Sequence, residues 1–83
     1  MENTEQQPDP RPGFYYVSAI DGTRSARVRG PFRTHVEALD ALPEARRALE
    51  KLDPRAHFYA IGTCRCARNL GPGFLDAVQE RAL

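Results

Sequence analysis

Eleven of the twelve cationic side chains in this 83-residue chain are arginines, with Lys51 the exception. A guanidinium presents a planar fork of donors that matches phosphate oxygens and the major-groove edge of guanine. The spacing of these residues is uneven. Arg24, Arg27, Arg29 and Arg33 fall between positions 21 and 33, with Asp21 the only acid. Arg55, Arg65 and Arg68 fall between positions 55 and 68, with no acid. The stretch between them, 34–53, carries five acids against three bases. Arg24, Arg27, Arg29, Arg33, Arg65 and Arg68 are therefore the candidate nucleic-acid-binding residues. The competing role for such residues is a solvated, charged strand edge that discourages mispairing.

The remaining chemistry-bearing residues offer less. Cys64-Arg65-Cys66 places two thiols on one face of a strand, half of a tetrahedral zinc site. His35 and His57 have no ligand-like spacing to them, so no metal is expected. Ser18 and Ser25 lie in no nucleophile turn, and Gly71-Pro72-Gly73 lacks the Lys-Ser or Lys-Thr of a phosphate loop. The acids are dispersed. The residues thus predict no enzyme and no cofactor. Phe14, Tyr15, Tyr16, Phe32, Phe58 and Tyr59 interleave with the cations and could stack unpaired bases, although strand aromatics are more often core.

The arginines need a scaffold. Residues 1–12, MENTEQQPDPRP, are polar and Pro-rich and predict a disordered tail, leaving 13–83 as one domain. The formal net charge is +1. Residues 1–10 hold Glu2, Glu5 and Asp9 and no cation, so residues 11–83 have a net +4. Phe14–Ile20 is aromatic and β-branched, a strand. Asp21-Gly22 signals a hairpin, and residues 25–32 form the return strand. There Ala26 and Val28 alternate with Ser25, Arg27 and Arg29, which puts both arginines on one face.

Thr34 and Glu37 form a capping box. Leu39, Leu42, Leu49 and Leu52 then mark a helix. The stripe keeps its phase across Pro43, which predicts one long Pro-kinked helix ending at Asp53-Pro54. Residues 56–66 read as the third strand and 74–83 as a short C-terminal helix.

The expected fold class is therefore α+β: a β-β-α-β three-stranded antiparallel sheet of order 2-1-3. A right-handed crossover sets the third strand parallel to the second, with the first between them and antiparallel to both. The first strand is apolar on both faces, and one helix covers only one. The C-terminal helix or a second subunit must cover the other, and a homodimer is the favoured reading. Phe14, Tyr16, Ile20, Phe58, Phe74 and Val78 are the candidate dimer or core residues. No apolar run approaches the ~20 residues of a membrane span, and the polar N-terminus lacks signal-peptide character. Both point to a cytoplasmic protein with no membrane partner.

Arg27-Val28-Arg29-Gly30-Pro31-Phe32 followed by Glu37-Ala38 resembles the strand-to-helix segment of SPOR domains, which implies glycan-strand binding. The runs FYYVSAIDG, GPF-x-T-x-x-EAL and DPRAHFYAIGT resemble small proteins carried on plasmids and integrative elements of proteobacteria. That resemblance implies a dimeric α/β protein that binds double-stranded DNA. Two functions follow as expectations: a homodimeric regulatory or plasmid-maintenance DNA-binding protein, or a protein-interaction module against a host factor.

Overall fold

The structure is a computed structural model that describes residues 8–82. Residues 1–7 of the expected tail lie outside the described residues.

Strands β1 (Phe14–Asp21) and β2 (Arg24–Phe32) form the expected hairpin, with Asp21 opposite Arg24 across the turn. Strand β3 (Ala60–Cys66) pairs with the other side of β1, which gives an antiparallel sheet of order β2-β1-β3. The central strand is the one apolar on both faces, as the sequence requires.

Helix α1 (His35–Asp40) starts in the expected capping box: Thr34 Oγ1 accepts from the Glu37 N–H, and Glu37 Oε1 accepts from the Thr34 N–H. The expected single kinked helix is instead interrupted at Ala41. Helix α2 (Leu42–Leu52) begins there, with Pro43 in its first turn. A first-turn N–H has no intrahelical partner, so a proline costs little at that position. The stripe is thus carried by two helices, with Leu42 and Leu49 at the core and Leu52 exposed.

The expected third strand also begins later. Residues Pro54–Phe58 form a 3₁₀ turn, capped by the Asp53 side chain, which accepts from the Arg55 N–H. Asp-Pro is a helix-start pair, and it overrides the aromatic Phe58 that follows it.

Helix α3 (Phe74–Ala82) packs on β2 and α2. The core joins Val17, Ala19, Val28, Ala45, Leu49, Ala56 and Leu75. Leu75 belongs to it, so α3 lies on the same side of the sheet as α1 and α2. Among the described residues no helix lies over the other sheet face. There, only Tyr16 is enclosed by the chain: its hydroxyl accepts from the Leu70 N–H at 3.0 Å and donates to the Gly71 carbonyl at 2.8 Å. Tyr16 is fully buried, whereas Ile20 on the same face is 44% exposed.

The pairing of β1 with β2 slips twice, between Tyr15 and Val17 and between Val17 and Ser18. Each slip gives β2 one residue more than its partner, the mark of a β-bulge. The bulges break the alternation expected for β2. Val28, Arg29 and Gly30 are buried in succession. A Cβ on Gly30 would meet the Tyr15 carbonyl and the Tyr16 ring at 2.8 Å, at a φ of +122°, so only glycine fits.

Candidate nucleic-acid interface

The bulges decide where the arginines go. Arg27 lies opposite Ser18, on the uncovered sheet face. Its guanidinium stands 5.6 Å from the centroid of the Tyr16 ring, within cation–π range. Arg29, two residues on, emerges on the helical side and is 7% exposed. Its Nε donates to Glu44 Oε1 at 3.0 Å and its Nη2 pairs with Glu44 Oε2. Its Nη1 donates to Asp76 Oδ1 at 2.7 Å. The second Asp76 oxygen accepts from the Gly30 N–H at 2.7 Å. Glu44, and then Asp76, raise the guanidinium pKa above its ordinary value against the opposing effect of desolvation. Arg29 is thus a clamp joining β2, α2 and α3. This corrects the reading that placed it beside Arg27 as a phosphate ligand.

The other four candidates do not share one face. Arg24 is exposed at the hairpin tip and lines a cavity of about 330 Å³ with Ala19, Asp21, Asp53, Tyr59 and Phe74, on the helical side. Arg33 and Arg68 are exposed just beyond the ends of β2 and β3. Arg65 lies opposite Tyr15, and its Nε and Nη2 donate to the Pro12 carbonyl at 2.9 and 2.6 Å. Among the described residues, none of Arg24, Arg27, Arg33 and Arg68 forms an ion pair, while Arg11, Arg29, Arg46 and Arg55 all do.

The uncovered face holds a depression of about 300 Å³ lined by Ser18, Ile20, Ser25, Arg27, Gly62 and Cys64. Ser18 Oγ and Cys64 Sγ are 3.2 Å apart. The Cys66 thiol is pushed above its ordinary range by burial, then by the neighbouring Cys64; Arg27 opposes this. Among the described residues no group of three or more His, Cys, Asp or Glu could hold a metal ion, and no helix is long and apolar enough to cross a membrane.

The aromatic candidates for base stacking are mostly enclosed. Tyr15 and Tyr16 are buried, and Phe32 and Tyr59 pack against the core. Phe58 is 85% exposed, beside the edge of His57. Of the residues expected at a dimer or core surface, Tyr16 is buried within the chain, Phe14 and Val78 are half-buried, and Ile20, Phe58 and Phe74 are exposed. Sequence reasoning missed the clamp carboxylates Glu44 and Asp76. No local signal marks them, because the clamp spans β2, α2 and α3. Comparison of the chain with family models, curated proteins and solved structures finds no match.

Proposed function

We propose that the protein is a non-enzymatic DNA-binding module whose hairpin and sheet arginines contact the phosphate backbone. One observation carries this reading: the arginines are sorted by partner. Among the described residues Arg24, Arg27, Arg33 and Arg68 reach solvent without an ion pair, as does Arg47 on α2, whereas Arg29 is held between two carboxylates and Arg46 pairs with Glu50. The first four surround the sheet rather than line one face. That favours contact with phosphates over reading of base edges, since phosphate contacts need charge and reach more than a fixed groove geometry. A regulatory or plasmid-maintenance role fits such a module.

The test is fluorescence anisotropy with a mixed-sequence duplex. Four phosphate contacts per chain give a slope of log K against log salt of about −3 to −4. Arg24→Ala with Arg27→Ala should weaken binding and flatten the slope by about two contacts. Absence of binding at low salt, or an unchanged slope in the double variant, overturns the reading.

A homodimer through the uncovered sheet face is the second reading. Its small side chains, Ser18, Ser25, Gly62 and Cys64, line the depression beside the exposed Ile20. Arg27 lies on that face, so a copy packed there removes it from the DNA-contacting set. Light scattering that gives the monomer mass at high micromolar concentration eliminates the dimer and leaves Arg27 available.

A further inference from the structure

The segment Pro8-Asp9-Pro10-Arg11-Pro12 carries proline at alternate positions. Proline fixes its own φ and drives the residue before it out of the helical region, so such a run favours an extended, polyproline-like backbone. It also has only two main-chain N–H donors, those of Asp9 and Arg11. The Arg11 N–H is satisfied locally by Asp9 Oδ1 at 2.9 Å. The Asp9 N–H donates to His35 Nδ1 at 2.7 Å, 26 residues away in sequence.

Every other bond between this segment and the fold also reads its main chain. The Tyr15 hydroxyl donates to the Arg11 carbonyl at 2.6 Å and reaches the Asp9 carbonyl at 3.3 Å. Arg65 donates twice to the Pro12 carbonyl. The side chains of Asp9 and Arg11 bond to each other instead. The recognising groups come from three elements and are fixed from behind. Tyr15 is 1% exposed. Its ring stacks on His35 with centroids 5.3 Å apart and an interplanar angle of 11°. His35 Nε2 lies 2.8 Å from Thr63 Oγ1. Because Nδ1 accepts, the ring proton is assigned to Nε2, which donates to Thr63.

From this geometry we propose that Tyr15, His35 and Arg65 form a peptide-binding site for a segment with proline at alternate positions, and that the chain's own residues 8–12, bent at Arg11, are its resident ligand. A site whose hydrogen bonds all go to main-chain atoms selects backbone conformation more than side-chain identity, although Arg65 also acts on the Asp9 carboxylate. A proline-alternating segment of another protein therefore satisfies the same three side chains. The tethered copy competes with it at millimolar effective concentration. This site is independent of the DNA-binding reading, which uses Arg24, Arg27, Arg33 and Arg68.

The experiment titrates a synthetic peptide, Pro-Asp-Pro-Arg-Pro-Gly, into isotope-labelled full chain and follows the amide spectrum. The variant with Pro8, Pro10 and Pro12 replaced by glycine loses the preorganised resident ligand and should bind the peptide about ten-fold more tightly than the unaltered chain. Shifts should centre on Tyr15, His35, Thr63 and Arg65. Adding His35→Ala or Arg65→Ala should abolish them, and a peptide with glycine for proline should not bind. Equal binding of the two peptides, or no binding to a glycine variant whose strand resonances are unchanged, overturns the proposal. If that variant does not fold, hydrogen exchange on the unaltered chain decides. The Asp9 amide should exchange slowly and about ten-fold faster in Arg65→Ala; equal rates overturn the proposal.

Discussion

Arg27 and Arg29 are separated by one residue in the same strand, yet they belong to different regions of the molecule. Arg27 faces the uncovered side of the sheet, over the Tyr16 ring. Arg29 is buried between two carboxylates on the helical side. Residue type does not distinguish them; the bulge at Val28 does. The bulge turns one guanidinium into part of the fold and leaves its neighbour for solvent or a ligand.

The largest expected effect tests the clamp. Removing one partner of a buried ion pair costs about 3–5 kcal/mol. The Glu44 and Asp76 side chains are 48% and 31% exposed, so water rehydrates part of what is left. Arg29→Ala should therefore cost about 2–3 kcal/mol in urea unfolding. Arg27→Ala should cost less than about 1 kcal/mol, the worth of an exposed cation–π contact. Similar costs for the two variants would remove the distinction between the regions.

A second, smaller effect probes the same clamp without touching charge. A Cβ on Gly73 would sit 2.5 Å from the Arg29 nitrogen and the Val28 carbonyl carbon. Both are backbone atoms and cannot swing aside. The Gly73 N–H also donates to the Gly30 carbonyl at 3.0 Å. Gly73→Ala must push α3 away from β2, at about 1–3 kcal/mol by the usual cost of overpacking. Faster amide exchange in α3 and around Gly30, with β3 unchanged, is the signature expected.

Binding should show the reverse order. Arg29→Ala measured at a temperature where it stays folded should leave DNA affinity within about two-fold, because its charge is internally neutralised. Arg27→Ala should lower the affinity by roughly one phosphate contact's share of the salt slope. If Arg29→Ala proves the weaker binder while still folded, the assignment of the two arginines is reversed.

The contrast also shows where the sequence is legible. The hairpin, the capping box at Thr34 and Glu37, the sheet order and the α+β class follow from local pattern and crossover handedness. Those signals lie within a few residues of the feature they specify. The break at Ala41 and the 3₁₀ turn at Pro54 are local too, but there two rules compete. An apolar stripe outweighs Pro43 in the sequence, while in the fold the proline lies in the first turn of a new helix. Arg29 was misplaced for a different reason. Strict period two fails at a bulge, and its ion-pair partners lie 15 and 47 residues away. Nothing in the pattern of β2 alone announces either fact. The Pro8–Pro12 segment reads as part of a disordered tail, because its bonds to His35, Tyr15 and Arg65 are visible only once β1, α1 and β3 are assembled.

The smallest effect lies on the open face itself. The Cys66 thiol is raised above its ordinary pKa, first by burial and then by Cys64, while Arg27 pulls in the opposite direction. Arg27→Ala removes the one stabilising cation and should raise that thiol further. A higher thiol pKa leaves less thiolate at a fixed mildly alkaline pH, so alkylation of Cys66 should slow. The change should be within about three-fold, since charges near solvent interact weakly. Arg29→Ala should leave the rate alone, because its guanidinium is on the helical side and already paired. Peptide-level mass spectrometry after timed iodoacetamide treatment reads Cys66 separately from Cys64. Equal slowing in the two variants would mean that the thiol senses general loosening of the sheet. Slowing in Arg27→Ala alone would place that charge on the uncovered face, as the proposed DNA contact requires.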